Sequence, residues 1–390
     1  MISESIKYVG VEDKSLDIFE SQYSLKNGVT YNSYIILDDE IAIMDTVDLR
    51  AQAQWTQNVE TTLNGKNPNY LIVSHMEPDH GANIFLLAQK YPDMKIVGNV
   101  KTFVMMEQFF GTDFKERQVV VKEGDVLELG HHSLQFVMAP MVHWPEVMMS
   151  YEKTEKVFFS ADAFGRFGLL DDQEWISEAR RYYYNIVGKY GLQVQSLLKK
   201  VSVFDIQTIC PLHGPVLVSP LDEYIKNYQL WSSYQAQEAG VMVAYASIHG
   251  HTTLAVDYLV EKLRMLGENV VVHDLTREDL SYAVSDAFAY DRIVLAACSY
   301  DGGVFPPMED FLNHLKSKNY QKRCVSLIEN GSWAPSALKT MKTTLETMKG
   351  IEFIEPFITI RSAMNEQNKT EMNQLAEEIM KGGCQSEICM

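Results

Sequence analysis

Basic side chains are scarce in this chain. Lys and Arg number 34 against 52 Asp and Glu, for a formal net charge of −18. A nucleic-acid partner needs cations in excess to meet its phosphates, so this balance argues against one. It argues equally against an anionic membrane surface, but leaves room for a small protein that docks on a local patch. Long apolar runs are missing too, and none reaches the roughly 18 residues of a membrane span. The first residues, Met1 to Asp17, carry Glu4, Glu12, Asp13 and Asp17 where a signal peptide would be apolar. Cysteine is sparse and odd in number: Cys210, Cys298, Cys324, Cys384 and Cys389. Such a scattered set fits a reducing cytoplasm better than a disulfide framework. Cys384 and Cys389 read as two free thiols on a tail. No C-x-x-C pair occurs.

What remains is an ordinary globular composition, 46% apolar and 22% charged over 390 residues. That length suits two or three domains, each with a sizeable core. The chain changes character near residue 235. Before it, β-like runs fall at Ser33–Leu37, Ile41–Met44, Tyr70–Ser74, Lys95–Asn99, Leu134–Pro140 and Lys156–Ser160. Helical stretches such as Gln52–Leu63 and Ala82–Lys90 lie between them, which predicts sheets inside and helices outside. After it, strands and helices alternate regularly. Strands are expected at Val241–Ala246, Asn269–Leu275, Arg292–Cys298, Arg323–Glu329 and Glu352–Ile360. Helices are expected at Thr252–Leu266, Asp279–Phe288, Met308–Lys318, Pro335–Met348 and Glu366–Met380. Five strand–helix pairs predict a doubly wound parallel five-stranded sheet of the flavodoxin-like kind. The expected domains are residues 1–238 and 239–390.

The strand Tyr70–Ser74 runs straight into His75-Met76-Glu77-Pro78-Asp79-His80. Four possible ligands lie within six residues at the C-terminal end of a strand, where sheet enzymes place chemistry. His75, Glu77 and Asp79 alternate with Met76 and Pro78, so an extended turn would point them one way. Three further candidates follow strand ends and precede turn formers: His143 before Pro145, Asp162 before Gly165, and His213 before Gly214. His131, His132, His273 and His314 lack that context and read as structural or surface residues. Seven positions thus offer four imidazoles and three carboxylates, enough for two metals. The carboxylates make the site harder than a His-rich zinc hydrolase site and suit iron or manganese.

In the second half, Val241–Ala246 leads into Ser247-Ile248-His249-Gly250-His251-Thr252 and then a helix. A strand, a hydroxyl- and Gly-bearing loop and a helix N-terminus form a phosphate cradle. The loop is neither G-x-G-x-x-G nor GK[ST], so dinucleotide and ATP readings are weaker. Two more loops end strands at the same edge. They are Ser299-Tyr300-Asp301-Gly302-Gly303 and, after Glu329, Asn330-Gly331-Ser332-Trp333. Tyr300 and Trp333 offer flat faces to an isoalloxazine ring. The three loops together resemble the FMN site of flavodoxins, with His249 where that family often has Tyr or Thr.

The ligand order resembles the metallo-β-lactamase fold, whose usual first motif is H-x-H-x-D-H, with Glu77 in place of the second His. This H-x-E-x-D-H variant ahead of a flavodoxin-like domain resembles the flavodiiron proteins (A-type flavoproteins) over essentially the whole chain. The resemblance implies a metallo-β-lactamase-like αββα sandwich for residues 1–238. It implies that His75, Glu77, His143 and Asp162 serve one iron, and that Asp79, Asp162 and His213 serve the other, with Asp162 bridging. His80 is either bound to the second iron or turned away, which leaves it as ligand, proton donor or bystander; His80 and Asp162 are the implied catalytic positions. The implied cofactors are two non-haem irons and FMN. The implied activity is reduction of O₂ to water or of NO to N₂O. Electrons would come from rubredoxin or another carrier, in a head-to-tail homodimer or a dimer of dimers. Some relatives carry a His near the segment matching Tyr31-Asn32-Ser33-Tyr34, whereas no His precedes His75 here. Three other readings stand beside this one: a zinc hydrolase fused to a flavodoxin-like module, an FMN electron carrier with an inactive first domain, and a reductase using FMN alone.

Overall fold

The computed structural model describes residues 2–171 and 175–382. Cys384 and Cys389 lie outside the described residues, while Cys210 and Cys298 are free thiols. The chain forms two compact units, Met1–Gln229 and Leu230–Met390.

The first unit holds two six-stranded sheets. One contains β1 (Ile6–Tyr8), β2 (Tyr34–Ile36), β3 (Ala42–Met44), β4 (Tyr70–Ile72), β5 (Lys95–Gly98) and β6 (Gln118–Val120), side by side in that order. The other contains β7 (Val126–Glu128), β8 (Ser133–Met138), β9 (Met148–Glu152), β10 (Val157–Phe159), β11 (Thr208–Cys210) and β12 (Leu217–Val218), again in order. Side chains alternate faces along a strand, and this sets the layers. Tyr34, Ile36, Ala42, Met44, Tyr70 and Ile72 join Leu134, Phe136, Met148, Val157 and Phe159 in a core between the sheets. The intervening Ile35, Ile43 and Leu71 face outward and join Trp55, Val59, Leu63, Leu87 and Phe103 from covering helices. Helices outside one sheet and a core between two give the expected sandwich. The helix expected at Ala82–Lys90 begins only at Ile84. Asn83 donates its side-chain amide to the Val47 carbonyl at 2.7 Å, a competing local bond of the kind that keeps Asn at helix ends.

The second unit is one parallel sheet, with strand order β14 (Val270–Asp274), β13 (Glu238–Ala246), β15 (Tyr290–Tyr300), β16 (Arg323–Asn330) and then a fifth position. This 2-1-3-4-5 order is the flavodoxin-like one. The single strand expected at Glu352–Ile360 is instead two, β17 (Ile351–Phe353) and β18 (Ile358–Ile360), both paired with β16. Pro356 lies between them; it has no N–H to give the ladder, so the strand opens around it. A two-residue strand at Gly303–Val304 folds back on the end of β15.

No helix among the described residues is long and apolar enough to cross a membrane.

Candidate metal centre and flavin cavity

Strands β8, β10 and β11 point the same way, because β9 is antiparallel to both β8 and β10 while β10 and β11 are parallel. The segments after them therefore emerge at one edge, and these carry His143, Asp162 and His213. Strand β4 of the other sheet reaches the same edge, where Met148 N–H donates to the Ser74 carbonyl at 3.1 Å. The run from His75 to His80 starts there. Glu77 stays extended, with φ −57° and ψ 139°, and Pro78 opens a single helical turn, Pro78–Gly81. Pro suits that position because its missing N–H would be unpaired there anyway.

All seven sequence candidates converge. His75, Glu77, His143 and Asp162 place one ligand atom each within 4.8 Å of one another, and so do Asp79, His80 and His213. Asp162 faces both groups. Its Oδ2 lies 3.3 Å from His75 Nε2 and 3.1 Å from His143 Nε2. Its Oδ1 lies 3.3 Å from His80 Nε2 and 3.9 Å from His213 Nε2. Glu77 Oε2 is 3.2 Å from His75 Nε2 and 3.0 Å from His143 Nε2. Asp79 Oδ2 is 3.4 Å from His80 Nε2 and 3.2 Å from His213 Nε2. The His80 ring, left open by the sequence, is turned in, with Nε2 only 3.1 Å from His213 Nε2.

The donor set fits metal ions. Both oxygens of Asp162, Oδ1 of Asp79 and Nε2 of His143 are buried without a hydrogen-bond partner. Orphaned buried acceptors are costly, and a shared cation is what this set would satisfy. Without it, the groups hold protons and charges against one another. Burial works against charge on His75, yet Asp162, Glu146 and Glu77 hold its pKa well above the usual imidazole value. His143 is likewise opposed by burial but raised to about 9 by Asp162 and Glu77. Burial favours a neutral Glu77, but His143 and His75 bring it down to about 2. Asp162, also opposed by burial, is driven well below the carboxylate range by His75 and His143.

A pH dependence follows. In the metal-free protein His143 is protonated below about 9 and the carboxylates around His75 favour its charged form as well, while Glu77 and Asp162 are held ionised. A metal must displace the imidazole protons, each costing about tenfold in apparent affinity per unit fall in pH. Ferrous or manganous affinity is expected to drop steeply from pH 8 to pH 6, with at least two protons released into a weakly buffered solution on loading. A flat affinity profile without proton release would count against the ligand set.

Two carboxylates behind the site carried no signal in the sequence. Glu146 Oε1 lies 2.8 Å from His75 Nδ1 and accepts the Met76 N–H at 2.8 Å. Asp45 Oδ1 accepts the Ser74 N–H at 2.6 Å. Neither sits in a ligand-like pattern, and only the folded chain brings them to the histidine run. A third residue is Glu20, in the turn between Ile18–Phe19 and Tyr23–Ser24. Its side chain is exposed at the surface, where partial desolvation and the charges of Glu77 and Asp79 raise its carboxyl to about 7. Two of the four histidines set aside from the metal site are structural groups: His132 pairs with Asp38 and Glu155, and His273 with Glu278 and Asp286.

In the second unit the three expected loops line one cavity of about 620 Å³. Ser247, Ile248, His249, His251 and Thr252 form one wall; Ser299, Tyr300, Asp301 and Gly302 a second; and Asn330, Gly331, Ser332 and Trp333 a third. Gly250 and Gly303, expected to touch the ligand, do not line it. Gly250 shapes the loop instead, with φ +85° at the start of the 15-residue helix His251–Met265; a side chain there would be strained. Several polar groups expected to face the ligand tie the loops together. Ser247 Oγ accepts the Gly250 N–H at 3.1 Å, and Ser299 Oγ accepts the Ser336 N–H at 2.8 Å. Asn330 donates its amide to the Ser362 carbonyl at 3.1 Å. Cys298, Ala334, Ser336 and Ser362 complete the lining; none has a motif by which the sequence could flag it. Trp333 is 89% exposed and Tyr300 45%. Two bare aromatic faces on a cavity wall mark a place for a flat ligand. Among the described residues no Lys or Arg lines the cavity, so a phosphate there would rely on backbone N–H groups and the helix N-terminus.

Fold and site together define a class: a metallo-β-lactamase-like domain bearing a dinuclear ligand cradle, joined to a flavodoxin-like domain. The comparisons agree. Residues 29–214 match the ODP family beta lactamase and residues 242–376 a flavodoxin domain. A putative diflavin flavoprotein A 1 of Nostoc sp. is 28% identical over 349 residues, 87% of this chain but only 60% of that longer relative. An anaerobic nitric oxide reductase flavorubredoxin of Vibrio vulnificus is 24% identical over 88% of this chain and 72% of its own. The solved rubredoxin oxygen:oxidoreductase of Desulfovibrio gigas shares the fold, with TM-score 0.91 over 98% of this chain and 97% of that one, at 22% identity. The chain carries these two family domains in the order and fold of the solved flavodiiron proteins.

Proposed function

We propose that this protein is a flavodiiron oxidoreductase that reduces O₂ to water, NO to N₂O, or both. The observation that carries the reading is the pair of ligand groups facing the two oxygens of Asp162. Two irons held there would supply the redox chemistry on the small substrate, and FMN in the second unit's cavity would feed them electrons. Both names among the relatives favour this pairing, one being an oxygen oxidoreductase and one a nitric oxide reductase. An external carrier such as rubredoxin would be the donor. A head-to-tail homodimer in the cytoplasm completes the proposal.

The chain's own residues have separable tasks. Glu77 and Asp79 bring negative charge that a ferric or ferrous pair needs. Asp162 spans both positions. His213 donates from Nδ1 to the Thr30 carbonyl at 2.6 Å, which leaves Nε2 free for a metal. His80 serves as a ligand in this arrangement, since its Nε2 points into the second group. Glu20, with its carboxyl near neutrality, can hold and release a proton beside Glu77 and Asp79.

The test is anaerobic. The purified protein is reduced and its reoxidation by O₂ and by NO is followed, with iron and FMN counted. Two irons and one FMN per chain, with turnover on at least one gas, are expected. Two zincs with hydrolytic activity, or reoxidation no faster than that of free flavin, would overturn the reading.

A further inference from the structure

The imidazoles of the two ligand groups are not supported alike. Behind His75 stands Glu146, whose side chain is fully buried. Its Oε1 takes both the His75 Nδ1–H and the Met76 N–H at 2.8 Å. Glu146 is itself held, because its carbonyl accepts the Asn99 amide at 2.5 Å. With His75 neutral, as a metal ligand must be, its proton sits on Nδ1 against Glu146, and Nε2 faces the space it shares with Glu77 and Asp162. In the other group, His213 has only a neutral backbone carbonyl behind Nδ1. His80 has nothing: its Nδ1 is buried and without a partner among the described residues. A carboxylate behind an imidazole orients the ring and raises its basicity as a ligand, whereas an unsupported ring is free to turn.

We propose that Glu146 is a positioning residue that makes the two metal subsites unequal. The subsite of His75, Glu77 and His143 retains its metal, and that of Asp79, His80 and His213 yields its metal first. The proposal rests on the diiron reading above but concerns a property that reading leaves open.

The test challenges the iron-loaded full-length protein anaerobically with a chromogenic ferrous chelator. In the unmodified protein, iron is expected to leave in two phases of one ion each. Asp79→Ala is expected to lack the fast phase and keep the slow one, which assigns the phases to the subsites. Glu146→Gln keeps an acceptor oxygen in the same place and drops the charge. It is expected to weaken the retained ion about 10–100-fold and to leave the labile one within twofold. It should also alter one of the two iron signals in a Mössbauer spectrum. Glu146→Asp restores charge and should recover part of the loss. A single-phase release in the unmodified protein would overturn the proposal, as would a Glu146→Gln variant that shifts both phases equally or neither. Unmodified protein that binds no iron would remove the diiron reading itself, a result distinct from two irons leaving together.

Discussion

Asp162→Ala is expected to strip both metals from the first domain and to abolish turnover on either gas. The residue is buried, with its Oδ2 facing His75 and His143 of one group and its Oδ1 facing His80 of the other. Removing it takes a ligand from each subsite at once. It also leaves His75, His80, His143 and His213 crowded without the charge that balances them. Breaking a buried ionic cluster by removing one partner also costs about 3–5 kcal/mol of folding stability. Iron counting after gel filtration checks it, and oxygen or NO uptake by the reduced protein gives the second readout. Asp162→Asn preserves shape and separates lost charge from lost packing; it should lose metal nearly as completely. An alanine variant that keeps two irons would show that Asp162 is not shared between them.

Tyr300→Ala combined with Trp333→Ala is expected to release the flavin while leaving the fold intact. Both side chains are exposed on the cavity wall, so little buried area disappears on truncation. An aromatic pair contributes about 0.5–1.5 kcal/mol beyond area burial. Removing both rings together weakens FMN binding about 5- to 150-fold. Titration of apoprotein against FMN fluorescence measures the change, and an unaltered melting temperature of the apoprotein shows that stability is untouched. An FMN affinity equal to that of the unmodified protein would mean that the flavin ring sits elsewhere. The metal centre should keep its iron in this variant, because its ligands all belong to the first unit. The Asp162→Ala variant and the Tyr300→Ala, Trp333→Ala double variant therefore separate the two cofactor sites.

Much of this is legible in the sequence. The alternation of Tyr34, Ile35 and Ile36, or of Tyr70, Leu71 and Ile72, specifies a strand with two buried faces, and both strands form. Strand–helix alternation after residue 235 specifies a doubly wound sheet, because a parallel pair needs a crossover long enough to hold a helix. Where it misled, as at Glu352–Ile360, a proline without an N–H interrupted an otherwise continuous strand. The aromatic loops were readable for a similar reason: strand ends in such a sheet share one edge, so their loops must meet.

The run His75–His80 was readable as a ligand cluster because four donors in six residues have no better explanation on a strand end. The sequence also determined the metal's character, since Glu77 and Asp79 fix the hardness of the donor set wherever the chain folds. Orientation was not written there. His80 faces His213 across 133 positions of sequence, and His75 meets Glu146 across 71. An imidazole offers either nitrogen, and which one points at a metal depends on what stands behind the other. That partner is chosen by how β4 meets the edge shared by β8, β10 and β11. The residue types alone thus determined which chemistry this chain can hold; the tertiary structure decided which way each ring turns, because only packing brings together groups so far apart along the chain.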